Sequence, residues 1–320
     1  MLKLVFNFFS YLLGSLALAA LLLFVLLRPF QDSEFELVEP ATAGQIIQAN
    51  SAFPIESNSL PSLKAEAPAF ESKAFAAYAI EITSKKLLYE KNIHERWATA
   101  SLAKLMTALV ALELRQMDET LEVEDRDIKI SLPRMELEPG EKISLESLLS
   151  GMLIASANDA AQTIARSSSG STDQFVGLMN EFAKAYGMRD SAFDNPAGFD
   201  SDRQYTTAYD VSRLALKFLQ NQMLAEMVST QSTSVRSANG NITHRIVSTN
   251  QLLGKPGVKG IKTGFTDAAK GNLVTRYIHE SGHEILIIVL GSDAREQDTE
   301  QLLTWILDSY EYPPMTFSST

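Results

Sequence analysis

An uncharged, strongly apolar run near the N-terminus sets the first limit on what this chain can fold into. No Asp, Glu, Lys or Arg occurs in the 24 residues from Leu4 to Leu27. As a helix this run would be about 36 Å long, enough to cross the ~30 Å hydrocarbon core of a bilayer. A cleaved secretory signal is the alternative, but its apolar region is usually shorter. We therefore expect residues 1–28 to be an uncleaved transmembrane anchor.

The segment after the run, residues 29–73, has the composition of a linker. It contains five prolines and many Ala and Ser residues, without a sustained hydrophobic period. The stretch between Phe30 and Lys73 contains seven acidic residues and two lysines, which gives a net charge of −5. Low hydrophobicity combined with net charge favours disorder. We expect a flexible tether, with a separate globular domain over residues 74–320.

Strand patterns stand at both ends of that domain and helical patterns lie between them. β-branched and aromatic runs predict strands at 76–82, 87–89, 272–278 and 284–290. Apolar residues at helical spacing predict helices at 101–114, 145–166, 173–186, 208–220 and 298–310. This order predicts an α+β or α/β fold in which the terminal strands share one sheet.

Charge and cysteine content exclude several classes of function. The chain carries 39 acidic and 28 basic residues, a net charge of −11, whereas a nucleic-acid binder needs a basic surface. It has no cysteine, which excludes disulfides, thiolate metal sites and a cysteine nucleophile.

The stretch His279-Glu280-Ser281-Gly282-His283 matches the zinc-protease pattern H-E-x-x-H. That chemistry requires a helix, because only a helix points both histidines the same way. Here the flanking residues predict strands, and Ser281-Gly282 predicts a tight turn between them. We expect a β-hairpin and no metal site.

Three short motifs point instead to a serine nucleophile. They are Ser101-x-x-Lys104, Ser156-x-Asn158 and Lys262-Thr263-Gly264, separated by 55 and then 106 residues. The first two patterns are common by chance, and the order and spacing of all three carry the signal. One helical turn places Lys104 on the face of Ser101, and a lysine can act as a base if burial and a nearby cation lower its pKa.

With these motifs in order, the sequence resembles the serine-type D-alanyl-D-alanine carboxypeptidases, the low-molecular-weight penicillin-binding proteins of peptidase family S11. The resemblance runs from about Ala76 to Tyr310. It implies a β-lactamase/transpeptidase-like α/β/α fold, with an antiparallel sheet flanked by helices and an all-helical subdomain. Further stretches that carry it include Phe193-Asp194-Asn195-Pro196 and Gly257-Val258-Lys259-Gly260.

The resemblance also implies a role for each site residue. Ser101 would attack the D-Ala–D-Ala carbonyl with Lys104 as its base, and Ser156 would relay a proton to the leaving amine. Asn158 would bond the substrate backbone and help to hold Lys104. Substrate binding would fall to Lys262, Thr263, Gly264, Phe265 and Arg295, the N–H groups of Ser101 and Phe265 forming the oxyanion hole.

The implied partners are peptidoglycan stem peptides and, as covalent inhibitors, β-lactams, with no cofactor and no metal. The expected location is the outer face of a bacterial cytoplasmic membrane. Three positions depart from the family pattern: Ala157 stands for the usual Gly, and Ala197 and Gln204 stand where His is frequent. We expect these changes, among them a methyl group at Ala157 near the strand that binds substrate, to affect substrate preference rather than proton transfer.

Three other functions remain open. A D,D-endopeptidase that cuts peptide cross-links would use the same residues. A β-lactamase needs a second base, a Glu after the S-x-N motif, and the stretch 191–194 contains none. A β-lactam sensor must signal across the membrane, and we expect the three residues before Leu4 to be too few for that.

Overall fold

The computed structural model describes residues 59–314 of the chain. The predicted anchor, residues 1–28, and residues 29–58 of the predicted linker lie outside this range, as do residues 315–320. Within residues 59–314 no helix has both the length and the apolar character needed to cross a bilayer.

Eleven strands and eight α-helices make up the described part of the chain. The strands are β1 (Ser62–Leu63), β2 (Ala76–Glu81), β3 (Leu87–Lys91), β4 (Thr120–Glu122), β5 (Lys142–Ser144), β6 (Ser232–Arg236), β7 (Thr243–Val247), β8 (Val258–Thr266), β9 (Lys270–Ile278), β10 (Glu284–Ser292) and β11 (Tyr310–Glu311). The helices are α1 (Ala103–Leu114), α2 (Asp125–Ile128), α3 (Leu145–Ile154), α4 (Asn158–Ser169), α5 (Thr172–Ala185), α6 (Ala208–Leu219), α7 (Gln222–Val228) and α8 (Arg295–Ser309).

The main sheet has five strands in the order β3-β2-β10-β9-β8, and every neighbouring pair is antiparallel. Strand β2, from the start of the domain, therefore pairs directly with β10, from its end. This confirms the predicted α+β fold and the shared sheet of the terminal strands. Because β8 is an edge strand, one of its sides is left open to a ligand.

Strand β10 shows why both faces of this sheet are covered. Leu286, Ile288 and Leu290 enter the larger core, together with residues of α1 and α6. Their neighbours Ile285 and Val289 enter a second core, formed with α8. Successive side chains of a strand point to opposite faces, so an unbroken apolar run is buried on both sides.

The helical part differs from the prediction in two respects. The predicted helix 145–166 is interrupted at residues 155–157, where Ser156 has a φ of +62° and cannot continue a right-handed helix. Two short antiparallel ribbons, β4–β5 and β6–β7, also lie on this side of the molecule, so it is not purely helical.

The globular domain starts earlier than the predicted boundary at residue 74. Strand β1 pairs with β11, which follows the last helix. The ring of Phe70 stacks on Trp305 with their centroids 5.4 Å apart, and the Trp305 indole N–H donates to the carbonyl of Pro68 at 2.8 Å. Residues 59–73 are thus packed on the domain, because their few apolar groups cover part of α8.

Candidate active site

Ser101 lies in a single 3₁₀ turn, Ala100–Leu102, that leads directly into α1. The residue before it, Ala100, has a φ of +46°, in the left-handed region that side chains other than glycine rarely adopt. Gly198 presses on this turn: a Cβ at Gly198 would lie 1.9 Å from the carbonyl oxygen of Ala100. The residue directly before the serine therefore has an unusual backbone conformation, and the loop of Gly198 is packed against it.

Lys104 is fully buried one helical turn after Ser101, as predicted. Its Nζ lies 2.9 Å from the Ser101 Oγ, 2.8 Å from the Asn158 Oδ1 and 2.5 Å from the carbonyl oxygen of Ala197. Three oxygens thus surround one nitrogen. A neutral amine has two N–H groups and one lone pair, so donation to Asn158 and Ala197 would leave the lone pair for the Ser101 hydroxyl.

The surroundings of Lys104 favour that neutral form. Burial lowers the pKa of Lys104 well below its ordinary value, the positive charge of Lys262 lowers it further, and Asp159 raises it. Burial and a nearby cation are the two conditions under which the sequence predicts that the pKa of Lys104 is lowered.

Ser156 and Lys262 form the second contact of the site. Ser156 stands in the turn between α3 and α4, and its Oγ accepts a hydrogen bond of 2.9 Å from the Lys262 Nζ. Lys262 is also buried, and burial together with the charge of Arg295 lowers its pKa to about 7. The hydroxyl and the ammonium group are therefore in direct contact at the edge of β8.

Asn158 uses both ends of its amide within the protein. Besides accepting from Lys104, it donates from Nδ2 to the carbonyl of Ser131 at 2.9 Å, and its backbone N–H donates to the carbonyl of Pro133 at 2.7 Å. Its expected role in holding Lys104 thus fits the geometry. One of its two amide N–H groups is taken by the loop and not by a substrate.

The residues predicted to bind substrate lie along β8 and beside it. Thr263 is buried, and Phe265 is an exposed aromatic residue at 64% exposure. Arg295, at the start of α8, donates to the carbonyl of Gly264 at 2.8 Å, which places it next to the K-T-G motif. The structure therefore brings the three motifs and Arg295 into one site.

Gly264 permits the close approach of β8 to the serine turn. A Cβ at Gly264 would lie 3.0 Å from the Ala100 Cβ and 3.2 Å from the backbone nitrogen of Ser101. A larger residue would have to displace the turn that carries Ser101.

The structure corrects the expectation for Ala157 and explains Gln204. The Ala157 side chain is fully buried in the main core, so its methyl group does not reach a substrate. Gln204 is buried too: its Oε1 accepts from the N–H groups of Asp194 and Asn195, and its amide donates to the carbonyl of Phe199. Both departures from the family pattern act on the packing of the protein.

The H-E-x-x-H stretch forms the predicted hairpin. Strand β9 ends at Ile278 and β10 begins at Glu284, and backbone hydrogen bonds join His279 with His283 and Gly282. Among residues 59–314 no cluster of three or more His, Asp or Glu side chains is placed to hold a metal ion.

Three contributors to the site were not predicted. The carbonyl of Ala197 holds Lys104, the carbonyl of Ser131 holds Asn158, and the Thr249 hydroxyl lies 2.6 Å from that of Thr263. Two of these act through backbone carbonyls. Every residue type has a carbonyl, so the sequence does not reveal this role. Only the Asn-Pro-Ala-Gly stretch around Ala197, already part of the family resemblance, offered a signal.

The sequence and the fold of this chain are similar to those of known D-alanyl-D-alanine peptidases. The family model of peptidase S11, D-alanyl-D-alanine carboxypeptidase, matches residues 62–294. The chain is 32% identical over 251 residues to the D-alanyl-D-alanine carboxypeptidase DacF of Bacillus subtilis, covering 76% of this chain and 64% of that protein. It is 29% identical over 239 residues to a D-alanyl-D-alanine endopeptidase of Escherichia coli, covering 72% of this chain and 76% of the relative.

A solved structure is similar over most of this chain. Penicillin-binding protein D2 of Listeria monocytogenes, in its ampicillin-bound form, is 30% identical, with a TM-score of 0.65 over 75% of this chain and 100% of that chain. The chain spans less than two thirds of the length of the Bacillus subtilis carboxypeptidase DacF. From the match of the family model over most of the described domain, the chain belongs to the D-alanyl-D-alanine carboxypeptidase family, peptidase S11.

Proposed function

We propose that this protein is a serine D-alanyl-D-alanine carboxypeptidase that removes the terminal D-Ala from peptidoglycan stem peptides. One observation carries the proposal: the buried Nζ of Lys104 touches Ser101, Asn158 and the Ala197 carbonyl at once. Two of these oxygens orient the amine by accepting its protons, and its lone pair then faces the hydroxyl that needs a base.

The proposed reaction has two stages. Lys104 takes the proton of Ser101 as its Oγ attacks the carbonyl between the two D-Ala residues, and the N–H groups of Ser101 and Phe265 stabilise the oxyanion. The Ser156 hydroxyl, in contact with Lys262, gives its proton to the departing D-Ala amine and receives in turn the proton that Lys104 took from Ser101, so the C–N bond breaks and Lys104 is neutral again. Water then hydrolyses the ester on Ser101, which releases the shortened peptide and restores the serine.

The charge near β8 supports recognition of a free C-terminal carboxylate. Lys262 is positive below a pH of about 7, and Arg295 adds a permanent charge next to Gly264. These cations, with Thr263, would bind the terminal carboxylate of the peptide. β-Lactams carry a carboxylate and a reactive amide, so we also propose that they acylate Ser101.

A D,D-endopeptidase is the second candidate. It is favoured by the similarity to an Escherichia coli enzyme of that name, of which the chain covers 76%. The same acyl transfer would cut a cross-link whose amine belongs to a neighbouring stem peptide. Carboxypeptidase and endopeptidase thus differ in the amine they release.

We further propose that residues 1–28 anchor the protein and that the catalytic domain faces outward from the bacterial cytoplasmic membrane. The 24-residue uncharged run supports the anchor, and the location of peptidoglycan supports the orientation. Retention in the membrane fraction after a high-salt wash, with the intact N-terminus seen by mass spectrometry, is the expected result.

The direct test is covalent labelling by a fluorescent penicillin. We expect wild-type protein to be labelled and Ser101→Ala not to be. Equal labelling of the two proteins, or none of the wild type, would contradict the mechanism. Product analysis then separates the two candidates: free D-Ala from a pentapeptide indicates a carboxypeptidase, whereas monomers from a cross-linked dimer indicate an endopeptidase.

A further inference from the structure

Two threonine hydroxyls meet at the edge of the site, in a contact that the reaction scheme above does not use. The Thr249 Oγ1 lies 2.6 Å from the Thr263 Oγ1, and either oxygen can be the donor. Thr263 is the central residue of the K-T-G motif on β8 and is only 3% exposed. Thr249 lies in the loop between β7 and β8.

The loop holds Thr249 firmly in this position. Its backbone N–H donates to the carbonyl of Ile154 at 3.2 Å, and Ile154 ends α3, two residues before Ser156. The next residue, Asn250, is buried and accepts a hydrogen bond from the Leu252 N–H at 3.0 Å. Thr249 therefore bridges the turn of Ser156 and the edge strand.

The direction of the Thr249–Thr263 hydrogen bond decides what Thr263 can do. A hydroxyl has one proton to donate and two lone pairs to accept with. If Thr263 donates to Thr249, its proton is not available to a substrate carboxylate. If Thr249 donates to Thr263, the Thr263 proton is free to point into the site. Among the hydrogen bonds of residues 59–314, neither hydroxyl has another partner.

We propose that Thr249 is a positioning residue that makes Thr263 a donor to the terminal carboxylate of the substrate. The Thr249 hydroxyl donates its proton to a lone pair of the Thr263 oxygen. The Thr263 hydroxyl can then donate its own proton to the carboxylate. Hydrogen bonds arranged in this way polarise one another, and a bond to a carboxylate is stronger than one between neutral groups. This inference rests on the proposed function and adds the residue that orients Thr263 in the same site.

Two thioesters of one N-acylated D-alanine test the idea. Their leaving groups are mercaptoacetate, which carries a carboxylate, and mercaptoacetamide, which does not. Wild-type protein should favour the carboxylate in kcat/KM. Thr249→Val, which has nearly the same shape, should lose about tenfold on the mercaptoacetate ester and less than about twofold on the amide.

Controls separate positioning from stability. Thr249→Ser keeps the hydroxyl and should retain the preference, and Thr243→Val, an exposed threonine on β7, should match the wild type. Melting temperature and the circular-dichroism spectrum report folding, and Thr249→Ala replaces the valine variant if that variant melts early. In a double-mutant cycle, Thr249→Val should cause no further loss of kcat/KM on the mercaptoacetate ester once Thr263→Val is present.

The outcomes are distinct for the two proposals. If the wild type hydrolyses neither ester and Ser101 is not labelled, the proposed function fails. If the wild type prefers the carboxylate and Thr249→Val keeps the same preference, the positioning role is overturned and the function stands. Equal loss on both esters overturns it as well, since that result indicates a structural role.

Discussion

The Nζ of Lys262 lies 2.9 Å from the Oγ of Ser156, a contact between an edge strand and a helix–helix turn that are 106 residues apart. The ammonium group is buried, and its pKa falls to about 7. The charge at this point of the site is therefore sensitive to pH in the neutral range.

We predict that kcat/KM for a substrate with a terminal carboxylate decreases as the pH rises through about 7. In the free enzyme Lys262 is charged below this pH and neutral above it, so the attraction for the carboxylate is lost on the alkaline side. A pH profile with the two thioesters checks this. The matching carboxamide should lack the decrease, and the same alkaline limb for both esters would contradict the assignment to Lys262.

Replacing Asn158 by Asp should move the acidic limb of the pH profile of kcat/KM, the pH range in which protonation of Lys104 removes the base. The new carboxylate would lie where the Asn158 Oδ1 now is, 2.8 Å from the Lys104 Nζ, and would stabilise the ammonium form. We expect the limb to move upward by about 1–3 pH units, because an adjacent opposite charge shifts a pKa by that amount. Measuring kcat/KM of the carboxamide ester isolates this effect from Lys262.

Asn180→Asp is the matched control for that variant. Asn180, on α5, bonds backbone groups at both ends of its amide, including the N–H and carbonyl of Phe193. Among the hydrogen bonds of residues 59–314, none joins it to Lys104. We expect a change in melting temperature without a shift of the acidic limb, and a shift equal to that of Asn158→Asp would refute the electrostatic explanation.

Gly264→Ala should impair acylation with little loss of stability. The added methyl group would lie 3.2 Å from the Ser101 nitrogen and 3.0 Å from the Ala100 Cβ, so the turn has to move by a few tenths of an ångström. We expect penicillin acylation to slow by about tenfold, since small displacements of reacting groups are costly. Gly177→Ala on α5, with no atom within 4 Å of the new Cβ, should acylate normally.

Asp127→Asn should destabilise the helical part of the domain. Asp127 is fully buried and receives paired hydrogen bonds from Arg166, at 2.9 Å from Nε and 2.7 Å from a terminal nitrogen. Removing one partner of a buried ion pair costs about 3 kcal/mol. Urea denaturation measures this loss, and Asp190→Asn, in the exposed pair with Arg96, should change the midpoint little.

The strands and most helices could be predicted because their patterns are local. The run from Ile285 to Leu290 has the length and β-branched content of a strand buried on both faces, and β10 is such a strand. The helix predicted over 145–166 was wrong in its middle, where Ser156 takes a φ of +62°. No rule of propensity assigns that conformation to a serine, because the packing around the site imposes it.

The sequence by itself determined which residue types this protein brings to its chemistry. Lack of cysteine, the order of three motifs and the spacing from Ser101 to Lys104 singled out Ser101, Lys104, Ser156, Asn158 and Lys262 as candidates, since helix geometry relates residues three apart. Phe265 and Arg295 came only from the family resemblance. Tertiary structure alone decided how those side chains act. Burial sets the pKa of both lysines, and backbone carbonyls of Ala197 and Ser131 orient Lys104 and Asn158. Desolvation and backbone contacts arise only when distant segments pack together, and any residue type supplies the same carbonyl.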